Sequence, residues 1–338
     1  MSPSKPNVLF VVVDDLRPQL GCYGRRQMHT PHIDELAAGG VVFRRAQCQV
    51  PVCGATRASV LTGVRPTRRR FVTYHARVDE DLPGALTLPQ HFRANGYNTV
   101  SVGKVFHHLP DAAERSWSVE PWRPARTGNW RNYLLEENRA IAAEGDGKGP
   151  PTERADVADE AYFDGQIAAR AVGELDRLAA RDEPFFLAVG FLKPHLPFNA
   201  PQRYWDLYPP GEVDLADNPF RPRGAPDEAM HNWGELRQYF RVPQRGPVSD
   251  ELARELVRGY YAATSYTDAQ VGRVLAHLER LGLADSTHVV LWGDHGWQLG
   301  EHGLWCKHCN FNTSLNAPLI VRAPDMDKGL QSQALVEF

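Results

Sequence analysis

From Asn7 to Val13 the chain is an unbroken apolar, largely β-branched run that stops abruptly at Asp14 and Asp15. This is the pattern of a parallel strand covered on both faces. Thr30 and Pro31 then open a short helix, a capping residue followed by proline at the first helical position, and Gly39-Gly40 closes it before the strand-like Val41-Val42-Phe43. The same signals predict helices over 54–62 and 87–95, stopped by Gly63 and Gly96, and a strand over 98–102. The alternation returns as a helical pattern over 159–180 before a strand over 185–189, and again as a long helix over 249–281 before a strand over 287–292. In that long helix Leu252, Leu256, Ala263, Val271, Val274, Leu278 and Leu281 keep roughly to one face.

Strands alternating with helices predict an α/β chain with a mostly parallel sheet flanked by helices, whose ligands gather outside the C-terminal ends of the strands. Two stretches break the alternation: 111–156, rich in Arg, Gly and Pro, and 197–247, rich in Pro and aromatics. Loops this long inside a domain are usually functional or disordered, and here they are candidates to wall a substrate pocket.

Asp14-Asp15 and the later Asp294-His295 each end a predicted strand, which brings three carboxylates and an imidazole to one sheet edge. A lone Asp-Asp pair is more often a solvated turn, but its repetition at a second strand end points to a metal. Oxygen donors suit calcium, magnesium or manganese, while the histidine leans slightly away from calcium. Cys53 stands at the start of the helix over 54–62, with Arg57 four residues on along the same face. Such a cysteine reads equally as a low-pKa thiol or as a small buried apolar residue, and the residues alone leave both open. Cys306-Lys307-His308-Cys309 is a lone C-x-x-C, read as two incidental thiols rather than a zinc or redox pair.

At 338 residues the chain has room for one large domain or two ordinary ones. A net charge of -3 exerts no global pull toward nucleic acid, and no apolar run is long enough to span a membrane. Residues 1–7 lack the apolar centre of a secretory signal, and five cysteines do not make a dense disulfide framework. The expectation is therefore a cytoplasmic protein as written, or a periplasmic or secreted one if a signal has been removed.

The segment from Cys53 to Gly63 resembles the signature C-x-P-S-R-x-x-x-L-T-G of formylglycine-dependent sulfatases, with Ala55 and Thr56 where that pattern has proline and serine. Further blocks at 7–24, 101–107, 193–198, 293–297 and 300–303 resemble, in the same order, the iduronate-2-sulfatase branch of that family. The resemblance implies an alkaline-phosphatase-like fold, a large mostly parallel sheet flanked by helices on both faces. It implies that a maturation enzyme oxidises Cys53 to formylglycine, and that Asp14, Asp15, Asp294, His295 and the modified Cys53 hold one divalent cation, with calcium favoured. Arg57, Lys104, His107, His195 and Lys307 would surround the sulfate. His195, assisted by Lys307, would protonate the leaving alcohol, and His107 would take the proton that releases sulfate, a task suited to an ordinary imidazole pKa.

The implied activity is hydrolysis of a sulfate monoester on a sugar or uronate. Two alternatives stand beside it: a phosphonate monoester or phosphodiester hydrolase of the same superfamily, and a non-catalytic sulfated-glycan-binding protein if Cys53 stays unmodified. Residues 1–338 would be the N-terminal catalytic domain without its last part and without the smaller C-terminal subdomain, which would then be a further segment or a separate partner chain. His108, His302 and His308 have no case beyond proximity and stay outside the catalytic set.

Overall fold

The computed structural model describes residues 5–124 and 130–338. In chain order the elements that build its centre are β1 (Asn7–Val13), α1 (Pro31–Ala38), β2 (Val41–Gln47), α2 (Cys53–Thr62), α3 (Leu88–Ala94), β3 (Asn98–Gly103), α4 (Phe163–Ala179), β4 (Phe185–Phe191), α5 (Asp250–Arg280), β5 (Thr287–Gly293), β6 (Leu319–Arg322) and β7 (Leu330–Glu337). Among the described residues the main sheet has seven strands in the order β7-β2-β6-β5-β1-β4-β3. β1 runs parallel to β4 and β5, β3 parallel to β4, and β7 parallel to β2, whereas β6 is antiparallel to both its neighbours.

Both faces of the sheet are covered, which is why its central strands are apolar at nearly every position. On one face Leu9, Val11, Leu187 and Leu291 pack with Ile167 and Leu175 of α4, Val271 and Val274 of α5, and Ile33 of α1. On the other, Val8, Phe10, Phe186 and Trp292 meet Ala55, Ala58 and Leu61 of α2, with Phe92 of α3 against them. α3 starts at a reciprocal capping pair between Thr87 and Gln90. α1 begins where Thr30 and Pro31 predict, but Thr30 makes no capping bond. The amides of His32 and Ile33 donate instead to the Asp268 carboxylate of α5, at 3.3 and 2.7 Å.

The two irregular stretches contain more structure than their composition predicts. Thr152–Ala155 pairs in parallel with Phe198–Pro201, and Glu136–Glu144 is helical. Trp205, Tyr208, Trp233, Leu236 and Tyr239 of the second stretch form a further core with Leu256 and Tyr260 of α5. No helix among the described residues is long and apolar enough to cross a membrane.

The register decides what the strand ends deliver. Val13 lies opposite both Phe191 and Gly293, and Gly103 lies opposite Gly190, so the chain leaves β1, β3, β4 and β5 at one edge and at one level. The close approach at this edge requires glycine. A Cβ on Gly190 would lie 2.0 Å from the Lys104 carbonyl oxygen, and Gly103, at φ 79°, would place one 2.1 Å from the Gly190 oxygen. Gly190→Ala should therefore cost about 3 kcal/mol or more in urea denaturation. Gly173→Ala, in α4 with open space around the added methyl, should leave stability unchanged or raise it by up to about 1 kcal/mol. Equal effects from the two substitutions would contradict this account of the edge.

Candidate functional site

Asp14 and Asp15 follow β1, Asp294 and His295 follow β5, and all four are fully buried. Asp15 adopts φ 60°, a left-handed conformation that a non-glycine residue keeps only where its surroundings over-determine it. Its amide donates to Asp294 Oδ1 at 3.0 Å, and its carbonyl oxygen accepts from Tyr260 of α5 at 2.8 Å. α2 starts at Cys53 and brings the sulfur to 3.4 Å from His295 Nε2. One ligand atom from each of Asp14, Cys53, Asp294 and His295 lies within 4.8 Å of the others, and Asp15, Cys53 and His195 form a second such group.

The donor chemistry fits a hard divalent cation. His295 Nδ1 lies 3.0 Å from the Gly296 carbonyl oxygen, an acceptor, which leaves Nε2 facing the cluster. Nε2 lies 3.4 Å from Asp15 Oδ1 and 3.6 Å from Asp294 Oδ1. Carboxylates converging in a buried site repel one another, and a shared cation converts the repulsion into ligation.

Fixed positive charges surround the carboxylates. Arg57 lies within α2 with no exposure, and donates from Nε to Asp294 at 2.9 Å, from Nη2 to Asp14 at 3.1 Å, and from Nη1 to the carbonyls of Lys104 and Val105. Lys104 donates to the other Asp14 oxygen. Lys307 bridges the Asp15 carboxylate, at 2.9 and 3.0 Å, to Glu235 at 3.1 Å, with the Trp297 ring 4.9 Å away. Burial alone would raise the Asp14 pKa, but Lys104 and Arg57 outweigh it and hold the carboxyl well below its ordinary range. For Asp294 burial wins over His295 and Arg57, and its pKa is raised. Arg57, expected at the sulfate, thus also braces the two strand ends.

Packing selects between the two readings of Cys53 and alters the expectation for His107. Burial pushes the Cys53 thiol well above its ordinary range and outweighs Lys104 and Lys307, so the unmodified residue is a neutral thiol despite its helix-start position. His107, expected to have an ordinary imidazole pKa, is pushed well below it by burial and by the Lys104 cation. Its Nδ1 is buried without a hydrogen-bond partner.

His195 stands beyond β4 on a turn held by neighbouring groups. Lys193, its pKa lowered to about 8 by burial, donates to the carbonyls of His195 and Pro197, and Asp164 of α4 accepts from the amides of Leu192 and Lys193. His195 Nδ1 lies 2.7 Å from the Leu196 carbonyl oxygen and Nε2 3.2 Å from Glu235. The Trp130 ring stands edge-on to the imidazole at 5.1 Å. Both irregular stretches therefore reach the site, one through Trp130 and the other through Glu235.

Neither residue, nor Lys193 or Asp164, is in the set read from the sequence. Nothing in local spacing marks Glu235, whose partner Lys307 is 72 positions away. His308 reaches the site only at its rim, 3.5 Å from Glu235, while His302 packs on Phe311. Cys306 and Cys309 are buried free thiols.

The Sulfatase family model matches residues 6–337. Iduronate 2-sulfatase of Homo sapiens is 38% identical over 335 residues, an alignment that covers 94% of this chain and 60% of that protein. A sulfatase of Formosa agariphila is 31% identical over 99% of this chain and 67% of its own length. The chain thus spans about 60% of the length of the iduronate 2-sulfatases it matches. Among solved structures, the phosphonate monoester hydrolase of Silicibacter pomeroyi superposes with a TM-score of 0.76 at 24% identity, over 98% of this chain and 71% of that one, and shares its alkaline-phosphatase-like architecture.

The bracing role of Arg57 is open to a direct test. Arg57→Met keeps much of the volume but leaves Asp14 and Asp294 without their shared guanidinium, and should cost about 3–5 kcal/mol in chemical denaturation. A loss below about 1 kcal/mol, the range of an exposed ion pair, would show that the guanidinium does not carry the strand-end carboxylates.

Proposed function

Because the chain belongs to the sulfatase family, we propose that residues 1–338 are the catalytic portion of a sulfuric ester hydrolase that cleaves a sulfate monoester on a sugar or uronate. Cys53 is its formylglycine position and calcium its cation, held by Asp14, Asp15, Asp294, His295 and the modified residue 53. The observation that carries the reading is the dry convergence of Cys53, Asp14, Asp294 and His295 within 4.8 Å, with Lys104 and Lys307 on the adjoining carboxylates.

When present, the hydrated aldehyde supplies one hydroxyl to sulfur and a second whose deprotonation expels sulfate, while the cation withdraws charge from a sulfate oxygen. The chain's own residues do the rest. Arg57 and Lys104 fix the carboxylates so that their geometry is set before substrate arrives. Lys307 and His195 lie together on the side assigned to the departing alcohol, where His195 donates a proton from Nε2 and Lys307 stabilises the developing charge. His107, the base expected for sulfate release, is disfavoured in that role, because burial and the neighbouring Lys104 cation oppose its protonation.

Protein produced together with a formylglycine-generating enzyme should give a peptide mass at position 53 corresponding to the aldehyde, and should hydrolyse an aryl sulfate. An intact thiol with sulfate binding but no turnover would favour a glycan-binding role, and faster turnover of a phosphodiester than of the sulfate would favour the phosphonate or phosphodiester reading. Cys53→Ser should fold normally and lose turnover by several orders of magnitude, since a serine hydroxyl, once sulfated, has no second hydroxyl with which to release it. Calcium should raise the melting temperature of the unsubstituted protein and fail to raise that of Asp14→Asn; an equal rise in both would remove Asp14 from the cation site.

A further inference from the structure

We propose that Glu235 is a positioning residue that sets His195 and Lys307 on the leaving-group side of the site. This rests on the sulfatase reading above for the identity of that side. One oxygen of Glu235 lies 3.2 Å from His195 Nε2 and 3.1 Å from Lys307 Nζ, and its second oxygen lies 3.5 Å from His308 Nε2. The three partners come from two separate segments, the turn after β4 and the segment 306–309, and Glu235 spans them at shorter range to His195 than Asp15, which lies 3.8 Å from His195 Nε2 and 2.9 Å from Lys307 Nζ.

The carboxylate is not needed to hold its own loop. That loop is anchored by the buried Trp233, Leu236 and Tyr239, and by Arg237, which donates to the carbonyls of Asn232, Pro243 and Gly246 and lies over the Trp233 ring. Glu235 thus projects from this base toward the site, and among the described residues its side-chain polar contacts run to His195, Lys307 and His308. His195 Nδ1 is already fixed on the Leu196 carbonyl, leaving rotation of the ring and the reach of Nε2 as the freedom Glu235 removes. Lys307, with a flexible stem, is confined between Asp15 and Glu235.

The role has a kinetic signature that simple structural support lacks. An activated nitrophenolate departs without a proton, whereas an alkyl or sugar alkoxide needs one from a correctly placed donor. In Glu235→Ala, kcat on an alkyl sulfate should fall at least about tenfold further than kcat on nitrophenyl sulfate, with KM changing less than kcat. Glu235→Asp should recover part of the difference. Equal losses on the two esters, or none on the alkyl ester, would overturn the proposal while leaving the sulfatase reading intact.

A crystal structure of Glu235→Ala tests the positioning without turnover. The His195 ring and the Lys307 ammonium are expected to leave their present rotamers, and finding both where they are now would overturn the proposal. If the unsubstituted protein carries the aldehyde yet hydrolyses neither ester, the sulfatase reading fails, and the crystal structure still decides whether Glu235 positions the two groups.

Discussion

Three carboxylates held away from water at one edge of the sheet are the constraint on which this structure turns. Asp14, Asp15 and Asp294 are fully buried, and an unpaired charge in such a place costs several kcal/mol. Each carboxylate is answered by a cation from elsewhere in the chain: Arg57 spans Asp14 and Asp294, Lys104 takes the remaining oxygen of Asp14, and Lys307 takes Asp15. Arg57 sits one turn into α2, so the ion pairs that neutralise the strand ends also dock the start of that helix against them. Cys53 reaches His295 because of the same docking.

The demand extends outward through the backbone. The left-handed conformation of Asp15 is held from both sides, by Asp294 at its amide and by Tyr260 at its carbonyl. Tyr260 also accepts from the Arg17 amide, and Arg17 pairs with Glu301 at 2.7 Å while donating to the Trp297 carbonyl. α5 therefore does more than cover a face of the sheet, since its middle carries the hydroxyl that fixes the turn after β1. Lys193 and Asp164 do the equivalent for the turn bearing His195. Rigid elements supply the precision, while the strand ends, the first turn of α2 and the irregular segments supply the groups, a division that suits chemistry requiring fixed charge more than motion.

Similarity to known proteins and the geometry of the site bear on different questions. Family membership rests on a match along nearly the whole chain. The roles of individual residues rest on what surrounds each of them. Burial favours the neutral thiol among the two readings the sequence leaves open for Cys53, and Arg57, expected around the sulfate, also engages protein carboxylates and carbonyls.

The sequence by itself determined the central parallel strands and the strand-end acids. β1, β4 and β5 are legible because strands covered on both faces must be apolar almost throughout, and Asp14, Asp15, Asp294 and His295 are legible because chemistry collects where such strands stop. β6 escapes the same reading because it is only four residues long, between Pro318 and Pro324, and β7 because it is an exposed edge strand with polar residues on both sides. Tertiary structure alone decided that Asp268 caps α1, that Glu235 meets His195 and Lys307, and that Cys53 and His107 carry shifted pKa values. Periodicity and capping are written in neighbouring residues, whereas desolvation and ion pairing depend on distances through space between residues far apart in the chain, and those exist only once the sheet has closed its edge.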